Sequence, residues 1–378
     1  MNLKSLLLCS DDKIVRVLRR TLGDLDISVE LCASSEIALR KLTRERFEAI
    51  IVDCAGPGAA AVLRSARSAP CNKRAIAVAI LDPEVGLRSA FEIGAHFILY
   101  KPVSVERSKS SFRAARALMK KERRRNSRVS VHIPVEMTSR ESDVHFKVNT
   151  TDLGEGGLAV TLPPRSRRLG RWTLVFTLPG SAKALEVNAE FAWEGTGKQV
   201  GLRFQDPSLE FTRQLREWLG RNSPDAEKDD PPASCQLTDL SLGGCYLEIS
   251  SPFPVSTRVT LSMRAAGIDL KTEGVVRIMH PDKGMGVEFT QSTPEHRALL
   301  EKFLSLLTEN RDVLPEMLVE PEGLETESSN ASFVASADSE TEDLLLGLFR
   351  SQAALTADAF LTELRKQRGL AASSGASA

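Results

Sequence analysis

The chain has 378 residues, too many for one ordinary hydrophobic core, so its length predicts two or three domains. Its 50 basic and 50 acidic residues cancel, which argues against a general preference for nucleic acid or anionic membranes. The 6 cysteines form no CxxC pair, the 5 histidines are scattered, and the apolar run in the opening MNLKSLLLCSDDK is short. These features predict a cytoplasmic protein with reduced thiols, without a metal centre, a signal peptide or a membrane span.

Residues 1–120 alternate short apolar runs with helical patterns. Such runs, when separated by helices, predict a five-stranded, doubly wound parallel sheet that is covered on both faces. The last predicted helix, over about residues 104–122, leads into the basic stretch KKERRRNSR at 120–128. The five predicted strands are LKSLLLC, ISVELC, FEAIIVDC, RAIAVAI and HFILYKP.

From residue 129 the pattern becomes that of antiparallel strands, and it predicts a small β-barrel domain over 121–222 that ends in a helix near 207–220. After a linker at 223–232, TDLGEGGLAV (151–160) reappears as TDLSLGGCYL (238–247), which indicates an internal duplication. The second β domain, 233–309, has no counterpart of the basic stretch or of the first strand. Its predicted barrel therefore has an open edge that something must cover.

The C-terminal part is predicted to consist of a linker and one helix. Residues 310–342 are acidic and rich in serine, which predicts a disordered linker. Residues 343–366 predict an amphipathic helix with Leu345, Leu348, Leu355 and Ala359 on its apolar face. This helix is interpreted either as a weak tail helix or as a helix for a partner or for self-association.

Acidic residues and one lysine follow three of the strands in the first domain. Asp11 and Asp12 follow the first strand, Asp53 ends the third and Lys101 ends the fifth. Because the carboxyl ends of parallel strands meet at one edge, these side chains are predicted to converge. Three carboxylates and a lysine suit a site that binds a divalent cation and accepts a phosphoryl group on Asp53. The competing interpretation is that they are ordinary polar residues at the ends of strands.

With these residues, Pro57 and the Lys101-Pro102 pair, about 120 residues resemble a response-regulator receiver domain. The resemblance implies that Asp53 accepts phosphate from a histidine kinase, with Mg²⁺ bound by Asp12 and Asp53. The fourth strand, AIAVAILDPE, lacks the family's Ser or Thr, and Ile98 replaces its switch aromatic. These departures leave open a second interpretation, a degenerate receiver kept for docking or dimerisation.

The basic stretch has three interpretations: a solvated helix end, an arm for nucleic acid or membrane, and a clamp for a small anion. Arg124, Arg125 and Arg128 are closely spaced, and guanidinium groups bind phosphate oxygens in pairs and stack on flat bases. Asp152, 24 residues after Arg128, begins a glycine-rich loop that ends at Gly157, and a carboxylate there can accept from the N–H edge of guanine. The combination favours the clamp.

Residues 120–220 resemble the PilZ domain, through Arg124 and Arg128 for RxxxR and Asp152 and Gly157 for (D/N)xSxxG. The resemblance implies cyclic di-GMP binding by these residues, with Arg125 as the adjacent arginine. Gly154 stands where the motif has serine, and one lost hydrogen bond to a charged group costs about 1.5–3 kcal/mol.

The second copy has the loop motif, at Asp239, Ser241 and Gly244, but no preceding RxxxR. The phosphates of a nucleotide would lack their counter-charge there, so this copy is predicted not to bind alone.

The leading hypothesis is therefore a bacterial signalling protein, not an enzyme, that binds cyclic di-GMP and couples binding to reorientation of the receiver-like domain. The alternative is an adaptor, controlled at Asp53 or constitutive, whose β domains bind no nucleotide. A homo-oligomer formed through the second β domain or the C-terminal helix is compatible with both. The sequence identifies neither the downstream partner nor the regulated process.

Overall fold

The computed structural model of the chain describes residues 3–69, 71–85, 91–139, 144–162, 170–195, 199–222, 229–290, 293–310, 313–325, 343–351 and 357–374. Within these residues, contacts divide the chain into two compact units. The first unit contains residues 123–222, and the second contains the residues before 123 together with those from 229 onward. Among the described helices, none has the length and apolar character needed to cross a membrane.

The N-terminal part is a five-stranded parallel sheet in the order β2-β1-β3-β4-β5. Leu7 and Ile51 face one buried layer and Leu6 and Ile50 the opposite one, so helices cover both faces as predicted. The strands are β1 (Leu3–Leu8), β2 (Ile27–Cys32), β3 (Ala49–Asp53), β4 (Ile76–Leu81) and β5 (Phe97–Tyr100). The helices described here are α1 (Asp12–Gly23), α2 (Ser35–Arg44), α3 (Ala59–Ser68) and α4 (Val105–Asn126).

The first unit is a closed antiparallel barrel of six strands, with a short seventh strand, β6, added beside β8. Helix α5 buries Phe211, Leu215 and Leu219 against the barrel core. The strands are β6 (Arg128–Val129), β7 (Pro134–Ser139), β8 (His145–Gly154), β9 (Gly157–Thr161), β10 (Arg171–Thr177), β11 (Ala184–Glu194) and β12 (Gln199–Gln205), and α5 is Leu209–Asn222.

A second closed barrel has the order β13-β14-β17-β16-β15-β18. Its strands are β13 (Ala233–Leu240), β14 (Gly244–Glu248), β15 (Thr257–Ala265), β16 (Ile268–His280), β17 (Gly284–Phe289) and β18 (Glu316–Leu324), and helix α6 (Pro294–Glu309) precedes β18. The predicted fold class, one α/β domain followed by two small barrels and a C-terminal helical part, is confirmed.

Strand β18 closes the edge that the sequence left open. It pairs antiparallel with β13 and β15, as β7 pairs with β8 and β10 in the first barrel. The strand missing before the second copy is thus supplied from after its terminal helix. The prediction of a disordered linker over 310–342 is wrong for residues 316–324, because they form β18, in which Met317 and Val319, on either side of the half-buried Leu318, enter the core. Residues 326–342 of that prediction lie outside the described residues.

The predicted C-terminal helix is described as two helices, α7 (Leu344–Ser351) and α8 (Ala357–Ser374). Leu345 and Leu348, two of the predicted apolar positions, are buried, whereas Ala359 is exposed. The remaining predicted position, Leu355, lies outside the described residues.

Helix α4 connects the receiver-like sheet and the second barrel within the second unit. Its buried Leu118 and Met119 belong to the same apolar cluster as the barrel residues Leu261 and Val319. Lys120 Nζ lies 2.8 Å from Asp230 Oδ1. The backbone N–H of Leu324, in β18, donates to Glu122 Oε1 at 2.7 Å. These contacts make the α/β part and the second barrel one packed body.

Candidate functional site

The three predicted clamp arginines lie where α4 ends and the first barrel begins. The helix ends at Asn126 rather than near residue 122, so Arg124 and Arg125 belong to its last turn. Arg128 starts β6, where it pairs with Gly154 at the end of β8. Both predicted motifs therefore meet at one corner of the barrel.

Arg128 and Asp152 are in direct contact at this corner. Arg128 Nη1 donates to Asp152 Oδ1 at 2.5 Å, although the two residues are 24 positions apart. The side chains are 39% and 24% exposed, and an ion pair this accessible contributes only about 0–1 kcal/mol to stability. The arginine can therefore exchange the carboxylate for a phosphate at a small energetic cost.

Gly154 makes room for the stem of Arg128. A Cβ atom at Gly154 would lie 3.1 Å from Arg128 Cγ and 3.1 Å from the carbonyl oxygen of Ser127. In the second copy, where the motif serine is present, the Ser241 hydroxyl accepts from Gly244 N–H at 3.1 Å and lies 3.2 Å from its carbonyl oxygen. The Ser241 hydroxyl thus stabilises the turn of its own loop. Glycine in place of serine at position 154 removes this turn contact but avoids crowding against Arg128.

The last glycine of the loop motif is required by strand packing. A Cβ atom at Gly157 would lie 2.1 Å from the carbonyl oxygen of Leu202 on the neighbouring strand β12. At Gly244 the corresponding distance, to the carbonyl oxygen of Val287, is 2.5 Å. Close backbone approach therefore explains this glycine in both copies.

Two charged residues that the sequence did not single out also lie at this corner, Glu155 in the loop and Arg216 on α5. Glu155 Oε1 accepts from Arg216 Nε, on α5, at 2.7 Å and lies 3.7 Å from Arg125 Nε. Two acidic residues of the loop, Asp152 and Glu155, are thus surrounded by three arginines. Arg216 had no detectable motif, because it lies 61 residues after Glu155 in a helix whose pattern indicates only core packing.

A second group of predicted site residues lies at the carboxyl edge of the parallel sheet. Asp53 is buried at the end of β3, and Lys101 Nζ lies 2.9 Å from its Oδ1. The thiol of Cys9 contacts the other oxygen, Oδ2, at 3.6 Å. Asp82, which follows β4, lies 3.8 Å from Lys101 Nζ. The structure therefore brings Asp53 and Lys101 together as predicted and adds Cys9.

Asp11 and Asp12 lie at the start of α1, and the backbone carbonyl of Asp11 lies 3.8 Å from the Cys9 thiol. The Asp11 carboxylate caps α1, accepting from the N–H groups of Lys13 and Ile14, and Asp12 is the exposed first residue of the helix. The residue after β1 whose side chain contacts Asp53 is Cys9, which the sequence prediction did not include. No group of three metal-ligating side chains occurs among the described residues.

The pocket does not fit the predicted Mg²⁺ ion, because a thiol is a poor ligand for a hard cation. Burial raises the pKa of Cys9, and the charge of Asp53 raises it further, so the thiol stays protonated at neutral pH. Partial burial alone would lower the pKa of Lys101, but the hydrogen bond and charge of Asp53 outweigh it and raise this pKa. The Asp53 carboxylate thus lies between the ammonium group of Lys101 and the neutral thiol of Cys9.

Comparison with known proteins gives a family for the two barrels. The PilZ domain family matches residues 122–221 and again residues 223–306. The first match contains the arginines and the Asp152 loop, and the second contains the loop at Asp239. No curated protein matches the chain.

Solved structures resemble separate parts of the chain. The receiver domain of a Pseudomonas aeruginosa PAO1 sensor histidine kinase, with magnesium in its active-site cleft, is 25% identical over 28% of this chain and 90% of its own, with a TM-score of 0.26. A chemotaxis response regulator of Vibrio cholerae is 22% identical over 30% of this chain and 99% of its own, with a TM-score of 0.29. The PilZ domain of CeSA from a cellulose-synthesizing bacterium is 21% identical over 24% and 93%, with a TM-score of 0.21.

The sheet order of the first domain and the two family matches agree with the resemblances found in the sequence. The chain therefore consists of a receiver-like α/β domain, a PilZ domain and a second, PilZ-like domain.

Proposed function

We propose that the chain is a cytoplasmic signalling protein that binds cyclic di-GMP through its first PilZ domain. The observation that carries this proposal is the contact between Arg128 and Asp152, which joins the two halves of the family's binding motif at one corner. Arg124, Arg125 and Arg128 supply donors for the phosphates and planes for stacking on guanine. Asp152 supplies an acceptor for the guanine edge, beside Gly154 and Gly157.

The guanine-reading role of Asp152 predicts base selectivity. Guanine presents two adjacent N–H donors at its pairing edge, whereas adenine presents one donor beside an acceptor nitrogen, so the chain should bind cyclic di-GMP at least about tenfold more tightly than cyclic di-AMP. Asp152→Ala should lower the affinity for cyclic di-GMP more than that for cyclic di-AMP. Competition between the two nucleotides for the full chain measures this difference. Glu136→Ala, an exposed acid on β7, is the control; equal affinities for both nucleotides would contradict the proposal.

Binding at the arginines would act directly on helix α4. Arg124 and Arg125 belong to its last turn, whereas its residues up to Glu122 are packed in the other unit with the receiver-like sheet and the second barrel. A ligand that engages these arginines would therefore change the preferred orientation between the two units. In this proposal the receiver-like domain and the second barrel move together as one body.

The second candidate function is an adaptor controlled by phosphorylation of Asp53, and the contact between Asp53 and Lys101 favours it. The pocket geometry predicts that acetyl phosphate labels the native chain poorly, because the Cys9 thiol, a poor ligand for a hard cation, lies beside Asp53 where a cation would neutralise the incoming phosphoryl group. Mass spectrometry after incubation with acetyl phosphate and Mg²⁺ measures the label, with Asp53→Asn as the blank. Efficient labelling that is lost in Asp53→Asn, together with no nucleotide binding, would favour the adaptor.

A further inference from the structure

The loop of the second PilZ-like domain is occupied by the C-terminal part of the same chain. The backbone N–H of Gly243 donates to Asp343 Oδ2 at 3.0 Å. The other oxygen of Asp343 accepts from the N–H groups of Leu345 and Leu346, at 3.1 and 3.4 Å. One carboxylate therefore caps helix α7 and holds it to the loop.

Glycines of the barrel admit the side chains of α7. A Cβ atom at Gly243 would lie 2.5 Å from Leu346 Cδ1. On β17, a Cβ atom at Gly286 would lie 2.4 Å from Phe349 Cε1. The absence of side chains at Gly243 and Gly286 thus leaves space on the barrel surface, and Leu346 and Phe349 of α7 fill it.

The first barrel covers the corresponding glycine in a different way. Its Gly201, on β12, is covered by the indole of Trp193 from the paired strand β11, whose Nε1 lies 2.1 Å from the position of a Cβ atom. In the second barrel Gly286 pairs with Ile278, which offers no ring. The ring that covers Gly286 instead comes from Phe349 of α7.

The second C-terminal helix completes the cover. Phe360 of α8 is fully buried, with its ring centroid 5.1 Å from that of Tyr246 and 5.2 Å from that of His280. The Tyr246 hydroxyl and His280 Nδ1 are 2.8 Å apart beneath it. This hydrogen bond pairs the Tyr246 hydroxyl with His280 Nδ1, and both rings contact Phe360. The buried cluster comprises Tyr246, Ile278, Leu345, Leu348, Phe349, Phe360 and Leu364.

We propose that the second PilZ-like domain is a receptor for an amphipathic helix with an acidic N-cap, and that residues 343–351 and 357–364 of the chain are its resident ligand. The Asp343 carboxylate takes a loop N–H group, and its negative charge disfavours a phosphate at the same place. The domain thus keeps the loop motif of its family but uses it to bind protein. This inference goes beyond nucleotide binding by the first PilZ domain and does not depend on it.

Binding in trans tests the proposal. A chain that ends at residue 342 should bind a labelled peptide of residues 343–366 saturably and in a 1:1 ratio, as measured by fluorescence anisotropy. Peptide Asp343→Asn should bind roughly tenfold more weakly, since Asp343 uses both carboxylate oxygens and an amide has only one acceptor oxygen and no charge. Peptide Asp358→Asn, which alters an exposed position of α8, should bind like the native peptide. A folded truncated chain that ignores the native peptide would overturn the proposal.

Hydrogen exchange of the Gly243 amide in the full chain tests the same proposal without a truncated chain, and so applies even if the truncated chain does not fold. Gly243 N–H should exchange slowly in the native chain and in Asp358→Asn, and at least about tenfold faster in Asp343→Asn. Phe349→Ala, which removes the ring over Gly286, should speed exchange at Gly243 as well. Exchange at Gly243 that is equally fast in the native chain and in Asp343→Asn would show that the helices are not held at the loop.

Discussion

Replacing Arg128 with alanine is expected to weaken cyclic di-GMP binding by roughly ten- to a hundredfold. The guanidinium offers charge-assisted hydrogen bonds to phosphate, and losing such bonds costs about 1.5–3 kcal/mol. The fold should be unaffected, because the Arg128–Asp152 pair is exposed and contributes only about 0–1 kcal/mol. Isothermal titration calorimetry on the full chain measures the change in affinity, and thermal unfolding checks the fold.

Two matched variants distinguish the geometry of the arginine from its charge. Arg128→Lys keeps the charge but cannot form a paired contact, so its affinity should lie between those of the native chain and Arg128→Ala. Arg171→Ala removes an exposed arginine at the start of β10 in the same barrel and should leave binding unchanged. Equal losses in Arg128→Ala and Arg171→Ala would mean that general charge, and not this corner, attracts the ligand.

Replacing Val319 with aspartate is expected to destabilise the second barrel by about 3–5 kcal/mol. Val319 is fully buried in β18, between the partners Ala233 and Leu261, so the variant would bury an unpaired carboxylate. Because β18 is the strand that closes this barrel, its loss would also expose two strand edges. Differential scanning calorimetry measures the effect.

The unfolding of the two units should be separable in this experiment. Val319→Asp should lower the transition of the unit that contains the second barrel and leave that of the first PilZ domain unchanged. Leu314→Asp introduces the same carboxylate five positions earlier, at a side chain that is 89% exposed, and should have little effect. If the two variants melt alike, β18 does not contribute to the core as described.

The sequence predicted most of the architecture because periodicity reports burial directly. Buried runs such as AIIVD in β3 and IAVAIL in β4 can only lie inside a sheet that is covered on both faces. The contact between Arg128 and Asp152 was also predictable, because the two halves of a known motif were present at the expected spacing. Local sequence patterns and motifs are thus sufficient to identify this corner of the barrel.

Strand β18 could not be predicted, because its sequence favours an exposed segment. Only Met317 and Val319 bring large apolar side chains into the core, and the segment contains acidic residues, a proline and a glycine. Pro321 is accommodated where the pairing with β15 shifts its register, a place where a missing N–H is tolerated. The signal that could have found it was the unpaired edge of the second barrel, which required one more strand.

Side-chain direction accounts for the residues that sequence reasoning misplaced. Asp11 and Asp12 follow β1 closely, but the chain turns into α1 there, so Asp11 caps the helix and Cys9 faces Asp53. At Gly154 the loss of a serine suggested a weakened site, whereas the structure shows that glycine accommodates Arg128. At the end of β1, a shift of two positions along the chain thus changes which side chain reaches Asp53.

The most direct test of the account is a calorimetric titration of the full chain with cyclic di-GMP, run beside Arg124→Ala/Arg128→Ala and Arg171→Ala. The account predicts saturable binding to the native chain and to Arg171→Ala, and a loss of at least about a hundredfold in the double variant. Absence of binding to the correctly folded native chain, or equal affinity in the double variant, would contradict it.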